Sequence, residues 1–226
     1  MATETRLSPA PARLIAPPGV YRPQHDTRLL AQALEREGVA PRAEVLDLGT
    51  GTGALAVAAA RLGARVTAVD ISWRAVLTAH VNARVAGQQV AVRHGDLTSA
   101  VPGRSFDLVV SNPPYVPSPV DRLPRRGPAR AWDAGRDGRA LVDRICDAAP
   151  SALRPSGVLL IVHSGLCDTE ATLARLEKAG MTASVTDRAV IPFGPVLRSR
   201  LPWLRRQGLL ADEGLEEVVV IRAEHA

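Results

Sequence analysis

Val45-Leu46-Asp47-Leu48-Gly49-Thr50-Gly51-Thr52-Gly53 is an apolar run interrupted by one acid and closed by alternating glycines. The run reads as a buried strand, and the Ala-rich stretch from Ala54 to Leu62 reads as the helix after it. Glycines between a strand and a helix let backbone approach a ligand closely at the helix N-terminus. Gly49-x-Gly51-x-x-Ala54 also satisfies the looser dinucleotide fingerprint, so the turn alone admits NAD or S-adenosylmethionine (SAM). Asp47 favours SAM. A carboxylate at the strand end repels a pyrophosphate but can bond the α-ammonium of SAM, directly or through water.

The same pattern recurs down the chain. Arg65–Asp70 is a second strand ending in an acid, 23 residues after Asp47, where a carboxylate reaches ribose hydroxyls or caps the helix read from Ser72 to Val85. Val90–His94 is a third strand, followed by Asp96 and Leu97. Asp96 is placed to accept from an adenine amino group, and the Leu97 backbone N–H to donate to its ring. Phe106–Ser111 is a fourth strand, and it runs into Asn112-Pro113-Pro114-Tyr115. Consecutive prolines fix φ, remove backbone donors and force the chain out of the sheet, while Asn112 before a proline is pushed towards extended geometry. The result is a stiff turn with a carboxamide, bare carbonyls and an aromatic face. Such a turn suits a planar –NH2 group, its hydrogens gripped by acceptors and its plane covered by Tyr115. Doubly wound topology puts all these strand ends on one carboxyl edge of a parallel sheet.

The remaining elements make one α/β domain over residues 21–226, preceded by an Ala/Pro-rich stretch, 1–20, that reads as a flexible tail. Asp26 or Thr27 is expected to cap a helix running to Glu37. Residues 116–137, rich in Pro, Gly and Arg and including Trp132, are too long for an ordinary connection and read as an active-site lid. Beyond them the pattern predicts helix 139–153, strand 157–163, helix 168–179, strand 181–186, helix 198–207 and strand 217–222. With 46% hydrophobic but only 3% aromatic residues, the core must be built from Ala, Val and Leu. The net charge of +5 invites a nucleic-acid reading, but Lys178 is the only Lys among 28 basic residues, a bias that GC-rich coding produces by itself. Cys146 and Cys167 fit neither a disulfide framework nor a zinc site, so a reduced cytoplasm is the expected setting and no metal is expected. No apolar stretch approaches a membrane span.

Assembled, these motifs resemble class I SAM-dependent methyltransferases, and more narrowly the HemK family of glutamine-N5 protein methyltransferases that modify peptide-release factors. The likeness is strongest to the compact Mtq2-type branch, without an N-terminal helical domain. It is carried by Tyr21-x-Pro23-x-x-Asp26-Thr27, by Asp47 to Gly53, by Asn112 to Tyr115, and by Ala131-Trp132 through Gly135, Asp137, Gly138 and Arg139. The resemblance implies a seven-stranded sheet in order 3-2-1-4-5-7-6 with the last strand antiparallel. It implies SAM contacts at Thr27, Asp47, Gly49, Asp70, Asp96, Leu97 and Asn112, to which the turn adds Gly51. It further implies that the Asn112 carboxamide and Pro113 carbonyl hold the substrate amide, with Pro114, Tyr115 and Trp132 completing the acceptor site. A release-factor-like protein substrate is implied, and in eukaryotes and archaea a small zinc-binding activator subunit accompanies the compact enzymes. Residues 191–214, with Trp203 and several arginines, are extra relative to that branch. Methylation of an exocyclic amine on a nucleic-acid base or small metabolite is the alternative, since it presents the same planar NH2. A non-catalytic SAM-binding module and NAD chemistry stand further off.

Overall fold

The computed structural model describes residues 14–210 and 214–225. In chain order the elements are α1 (His25–Arg36), β1 (Glu44–Leu48), α2 (Ala54–Arg61), β2 (Arg65–Asp70), α3 (Trp73–Val85), β3 (Val90–His94), β4 (Phe106–Ser111), α4 (Ala140–Ala152), β5 (Leu153–Ser164), α5 (Thr169–Lys178), β6 (Met181–Pro192), α6 (Pro195–Arg206) and β7 (Leu215–His225). The strands form a single sheet of seven in the order β3-β2-β1-β4-β5-β7-β6. β3, β2, β1, β4 and β5 run parallel, and β7 pairs antiparallel with both β5 and β6. This is the expected class I methyltransferase sheet.

Side chains of a strand alternate between faces, and both faces here are covered by helices. Val45, Leu108, Val110, Leu160 and Val220 face one layer, with Leu29, Leu30 and Leu34 of α1 and Leu55 and Ala59 of α2. Leu46, Leu48, Val109, Leu159 and Ile161 face the other, against Ile145 and Ala149 of α4 and Leu176 of α5. Small aliphatic residues do fill these layers; Phe106 and Phe193 are the largest fully buried side chains. The order of the sheet places its switch point between β1 and β4, whose parallel neighbours continue outward on opposite sides. A crevice opens there, at the carboxyl ends.

Several boundaries differ from the sequence reading, each for a local reason. α1 begins at His25 behind Gln24, so neither Asp26 nor Thr27 caps it; both lie in the first turn and are buried. β6 continues to Pro192, past the expected end at Thr186, because a bulge between Val185 and Asp187 shifts the alternation. Asp187 thus falls on a buried site, where Arg36 pairs with it. β5 starts at Leu153 because Leu153 pairs with Phe106 across a register shift. α6 starts at Pro195, since proline suits a first helical position whose N–H has no partner to lose. Residues 1–13 of the expected tail lie outside the described residues. Residues 14–20 are tied down rather than loose: the Asn82 carboxamide bonds both backbone groups of Ile15, at 2.9 and 2.8 Å, and Arg74 donates to the Pro18 carbonyl at 2.7 Å.

Candidate active site

A cavity of about 790 Å³ occupies the switch point. Its floor is the turn after β1. Gly49, Gly51 and Gly53 have φ of 73, 54 and 81°, left-handed values that a residue with a Cβ adopts only at a cost. A Cβ added at Gly49 would meet nothing within 4 Å, so that glycine serves the turn's conformation, whereas at Gly53 it would press on Ala79 of α3 at 3.1 Å. Asn82 also donates to the Thr52 carbonyl at 2.9 Å, which links this turn to the 14–20 segment.

Asp47 is buried below the turn. Its Oδ2 accepts from Thr50 Oγ1 at 2.6 Å and from the Ala56 N–H at 3.1 Å, while its Oδ1 is buried without a partner among the described residues. Burial pushes its carboxyl up to about 7, against the lowering effect of those two bonds and with a further rise from Asp70. Asp70, at the end of β2, accepts from the Gly51 N–H at 3.0 Å and the Ser72 N–H at 2.8 Å. It too is raised by burial, with Arg130 of the lid and His94 among the groups that pull it back. A buried carboxylate with an orphaned oxygen beside a glycine cradle calls for a cation with hydrogen-bond donors. The α-ammonium of SAM supplies that, and the residues present fit the group.

Across the cavity, Asp26 of α1 collects the donors of the Asn112–Tyr115 turn. Its Oδ2 accepts from Tyr21 Oη at 2.9 Å, Asn112 Nδ2 at 3.0 Å and Tyr115 Oη at 3.1 Å. Its Oδ1 accepts from the Thr27 N–H at 2.6 Å and from Thr27 Oγ1 at 3.2 Å. Asn112 Nδ2 also reaches Thr27 Oγ1, at 3.1 Å. Burial, with the charge of Asp26, raises both tyrosine hydroxyls, which keeps them as donors.

Residues 116–137, the segment expected to act as a lid, are pinned by hydrogen bonds. Val116 N–H donates to the Trp132 carbonyl at 2.8 Å, and Ala134 N–H returns a bond to Val116 at 3.1 Å. Asp133 is held at 2.5 Å by Arg200 of α6, which also donates to the Pro117 carbonyl at 2.8 Å. The other end closes on Gly138, where a Cβ would lie 2.3 Å from the Tyr115 carbonyl oxygen and 2.7 Å from Cys167 Sγ.

Every site residue named from the sequence lines or underlies this one crevice, Thr27, Leu97, Pro113, Pro114 and Trp132 included. Asp96 sits at the rim, paired at 2.7 Å with Arg144 of α4, so that in this arrangement its carboxylate is shared with a guanidinium. Sequence reasoning assigned no site role to Tyr21, Asp26, Asn82 or Arg200. The first two stand in the Tyr-x-Pro-x-x-Asp-Thr string and were readable from it. Nothing local marks Asn82 or Arg200, whose partners lie far away in the chain.

Known proteins resemble this chain in sequence and fold. A family profile described as the methyltransferase small domain matches residues 12–121. A Methanocaldococcus jannaschii protein named for protein N5-glutamine methylation is 33% identical over 78% of this chain and 88% of its own length. This chain belongs to the SAM-dependent protein N5-glutamine methyltransferase family. Release factor glutamine methyltransferases of Bordetella pertussis and Geobacter sulfurreducens are 41% and 35% identical over 73% and 74% of the chain, which spans only 63% and 60% of their lengths. Among solved structures, the Encephalitozoon (E. cuniculi) Mtq2–Trm112 complex, responsible for methylation of the translation termination factor eRF1, is 27% identical with a TM-score of 0.64 and covers 92% of this chain and 99% of that one. A Thermus thermophilus 16S rRNA guanine-N2 methyltransferase, solved with SAM and guanosine, shares the fold at 22% identity and TM-score 0.59, covering 91% of this chain and 44% of that one. Among the described residues no helix is long and apolar enough to cross a membrane.

Proposed function

We propose that this enzyme methylates the side-chain amide nitrogen of a glutamine in a peptide-release factor. The observation that carries the reading is the Asn112 carboxamide. Its NH2 is committed to Asp26 and Thr27, which leaves its oxygen as the acceptor at the mouth of the cofactor cavity. An amide nitrogen is a weak nucleophile because its lone pair is delocalised into the carbonyl. Acceptors on its hydrogens, Asn112 Oδ1 and the Pro113 carbonyl, raise its electron density and aim it. SAM supplies an electrophilic methyl and a neutral leaving group, so alignment can provide most of the acceleration; no titrating base need act before attack, and the nitrogen sheds one proton to water after transfer. Tyr115 is buried with its hydroxyl on Asp26, which fixes the wall against which the amide plane packs. Asp47 and Asp70 hold the cofactor's cationic and ribose ends, with Thr27, Gly49, Gly51, Asp96 and Leu97 lining the rest.

A small partner subunit suits the outer surface. α3 exposes Trp73, Leu77, Val81 and Val85, spaced by four residues along one ridge, at 70, 65, 37 and 72% accessibility. The ridge flanks β3, the open edge of the sheet, and Trp73 stacks on His94 of that strand at 4.0 Å. An apolar ridge on an open edge is the kind of surface a bound subunit covers. Mtq2 was solved with one, and we assign this ridge to such an activator.

Arg125, Arg126 and Arg130 line the same cavity, and this favours a polyanionic acceptor as the second reading. The deciding experiment follows labelled methyl from SAM into a purified peptide-release factor and into RNA. Label recovered as N5-methylglutamine supports the reading; label in nucleotides, with transfer falling steeply as salt is added, overturns it. Asn112→Ala should lower kcat on the order of 10²–10³-fold, by analogy with loss of one oriented hydrogen-bonding group, while SAM affinity changes only a few-fold. Equal kcat would remove Asn112 from the chemistry.

A further inference from the structure

A carboxamide is symmetric in shape but not in chemistry. Turned one way, Asn112 offers an acceptor to the cavity; turned over, it offers two donors. An incoming NH2 group also brings donors, so the second orientation would present donor to donor and expel it. Something must choose. The backbone of Asn112 cannot, because rotation about the last side-chain bond is broad and nearly two-fold.

We propose that Asp26 makes the choice, acting as the positioning residue that turns the Asn112 oxygen towards the acceptor amine. A carboxylate accepts and does not donate, so only the Nδ2 side of Asn112 can face it. The bond directions close consistently. Thr27 Oγ1 donates to Asp26 Oδ1 at 3.2 Å, and this spends its hydrogen and leaves it a lone pair for the second Nδ2 hydrogen, at 3.1 Å. Both hydrogens of Nδ2 are therefore committed, one to Asp26 at 3.0 Å and one to Thr27. Asp26 itself is 2% exposed and cannot rotate away, because Tyr21, Tyr115 and the Thr27 N–H hold it from other directions. The two tyrosines cannot substitute for it: a hydroxyl can donate as well as accept and would tolerate either orientation of the amide.

The inference rests on the amide-methylation reading above, and the test separates the two. Methyl transfer from SAM to a purified release factor, with each enzyme isolated together with its activator subunit, is measured for the wild type, Asn112→Ala, Asp26→Asn, Asp26→Glu and the double variant Asp26→Asn/Asn112→Ala. No transfer by the wild type or loss-free Asn112→Ala would sink the functional reading itself. Given an active wild type, Asp26→Asn should lose on the order of 10²-fold in kcat with SAM affinity within a few-fold, since an added donor lets residue 112 turn over. In the Asn112→Ala background the same change should cost nothing further, because no carboxamide remains to orient. Asp26→Glu keeps the acceptor and should stay within about tenfold of wild type. A purely steric role predicts the reverse ranking, with the isosteric Asn tolerated and the longer Glu not. Wild-type kcat in Asp26→Asn, or a further loss in the double variant, overturns the proposal. If Asp26→Asn does not fold, Asp26→Glu decides alone: retained transfer supports the role, and a loss matching Asn112→Ala overturns it.

Discussion

The proposed pairing of Asp47 with the cofactor's positive charge predicts an affinity that depends on pH with a definite sign. Burial lifts this carboxyl to about 7 from an ordinary 3.8, so between those values the ligand-free folded state holds a proton that the unfolded chain has released. Stability of the ligand-free enzyme from this group is therefore full below pH 3.8 and is lost as pH rises through about 7, by an amount on the order of 4 kcal/mol at most. A cationic ligand selects the ionised form. Below pH 7 binding must expel the proton, and Kd for SAM should weaken about tenfold per pH unit, roughly 100-fold between pH 7 and 5, then level off above 7. Asp47→Asn should lose about 10–100-fold in affinity at pH 8, the worth of a charge-assisted bond, and should lose the acid-limb slope as well. Titration calorimetry from pH 5 to 8.5 measures both. Glu216 of β7, also lifted to about 7 by burial but neighboured by Ser164 and Asp26 where Asp47 has the glycine turn and Asp70, supplies the control: Glu216→Gln should change the stability profile and leave the SAM slope intact. A Kd flat from pH 5 to 7 in the wild type, or an undiminished slope in Asp47→Asn, would refute the pairing of this carboxylate with the cofactor's charge.

Other consequences follow from packing around the site. Gly138→Ala drives a methyl group into the Tyr115 carbonyl oxygen at 2.3 Å from a backbone with φ of 74°, and should cost about 3 kcal/mol or more, a fall of roughly 10 °C in Tm; an unchanged melting curve would mean the segment shifts freely. Arg200→Ala removes the partner of Asp133, whose side chains are 17 and 14% exposed, and should loosen the lid by about 1–2 kcal/mol. The expected signature is a raised KM for the acceptor with SAM affinity within twofold, and faster proteolytic cutting between residues 117 and 135; an unaltered KM argues that the lid does not touch the acceptor. Trp73→Glu/Leu77→Glu should abolish co-purification of an activator subunit without lowering the Tm of the isolated chain, and retention of the subunit would place its contact elsewhere.

The sheet and its edge were legible because their signals are local. Asp47, Asp70 and Asn112 each follow an apolar run within a few residues, and a parallel sheet leaves no freedom about which edge those strand ends share. The far half of β6 is hidden in the sequence because a bulge inverts the alternation at Asp187, and a buried charge in a strand looks like its end unless a distant partner such as Arg36 reaches it. An acid or threonine before an apolar helical pattern usually caps it, which is what Asp26 or Thr27 suggests locally; the partners of Asp26, Asn112 and Tyr115, lie 86 and 89 residues away. Arg200 was unreadable for the same reason, with Asp133 67 residues distant.

Those long-range contacts divide the labour of the site. The cofactor side is built within the sheet edge, where the turn after β1 and the ends of β1 and β2 supply Asp47, Gly49, Gly51 and Asp70 at fixed spacing. The acceptor side is assembled from segments flanking that core. α1 brings Asp26 and Thr27 to Asn112 from before the sheet begins, and α6, between β6 and β7, brings Arg200 to the lid from near the chain's other end. On the proposed reading, a change in α1 or α6 therefore retunes the acceptor side and the 116–137 segment without disturbing the turn after β1. The glycine turn has no such freedom, since its φ values and the buried Asp47 beneath it must change together. That asymmetry explains why the cofactor reading was secure from a nine-residue string, Val45 to Gly53, while the acceptor site needed the folded chain to bring residues 26, 112, 133 and 200 together.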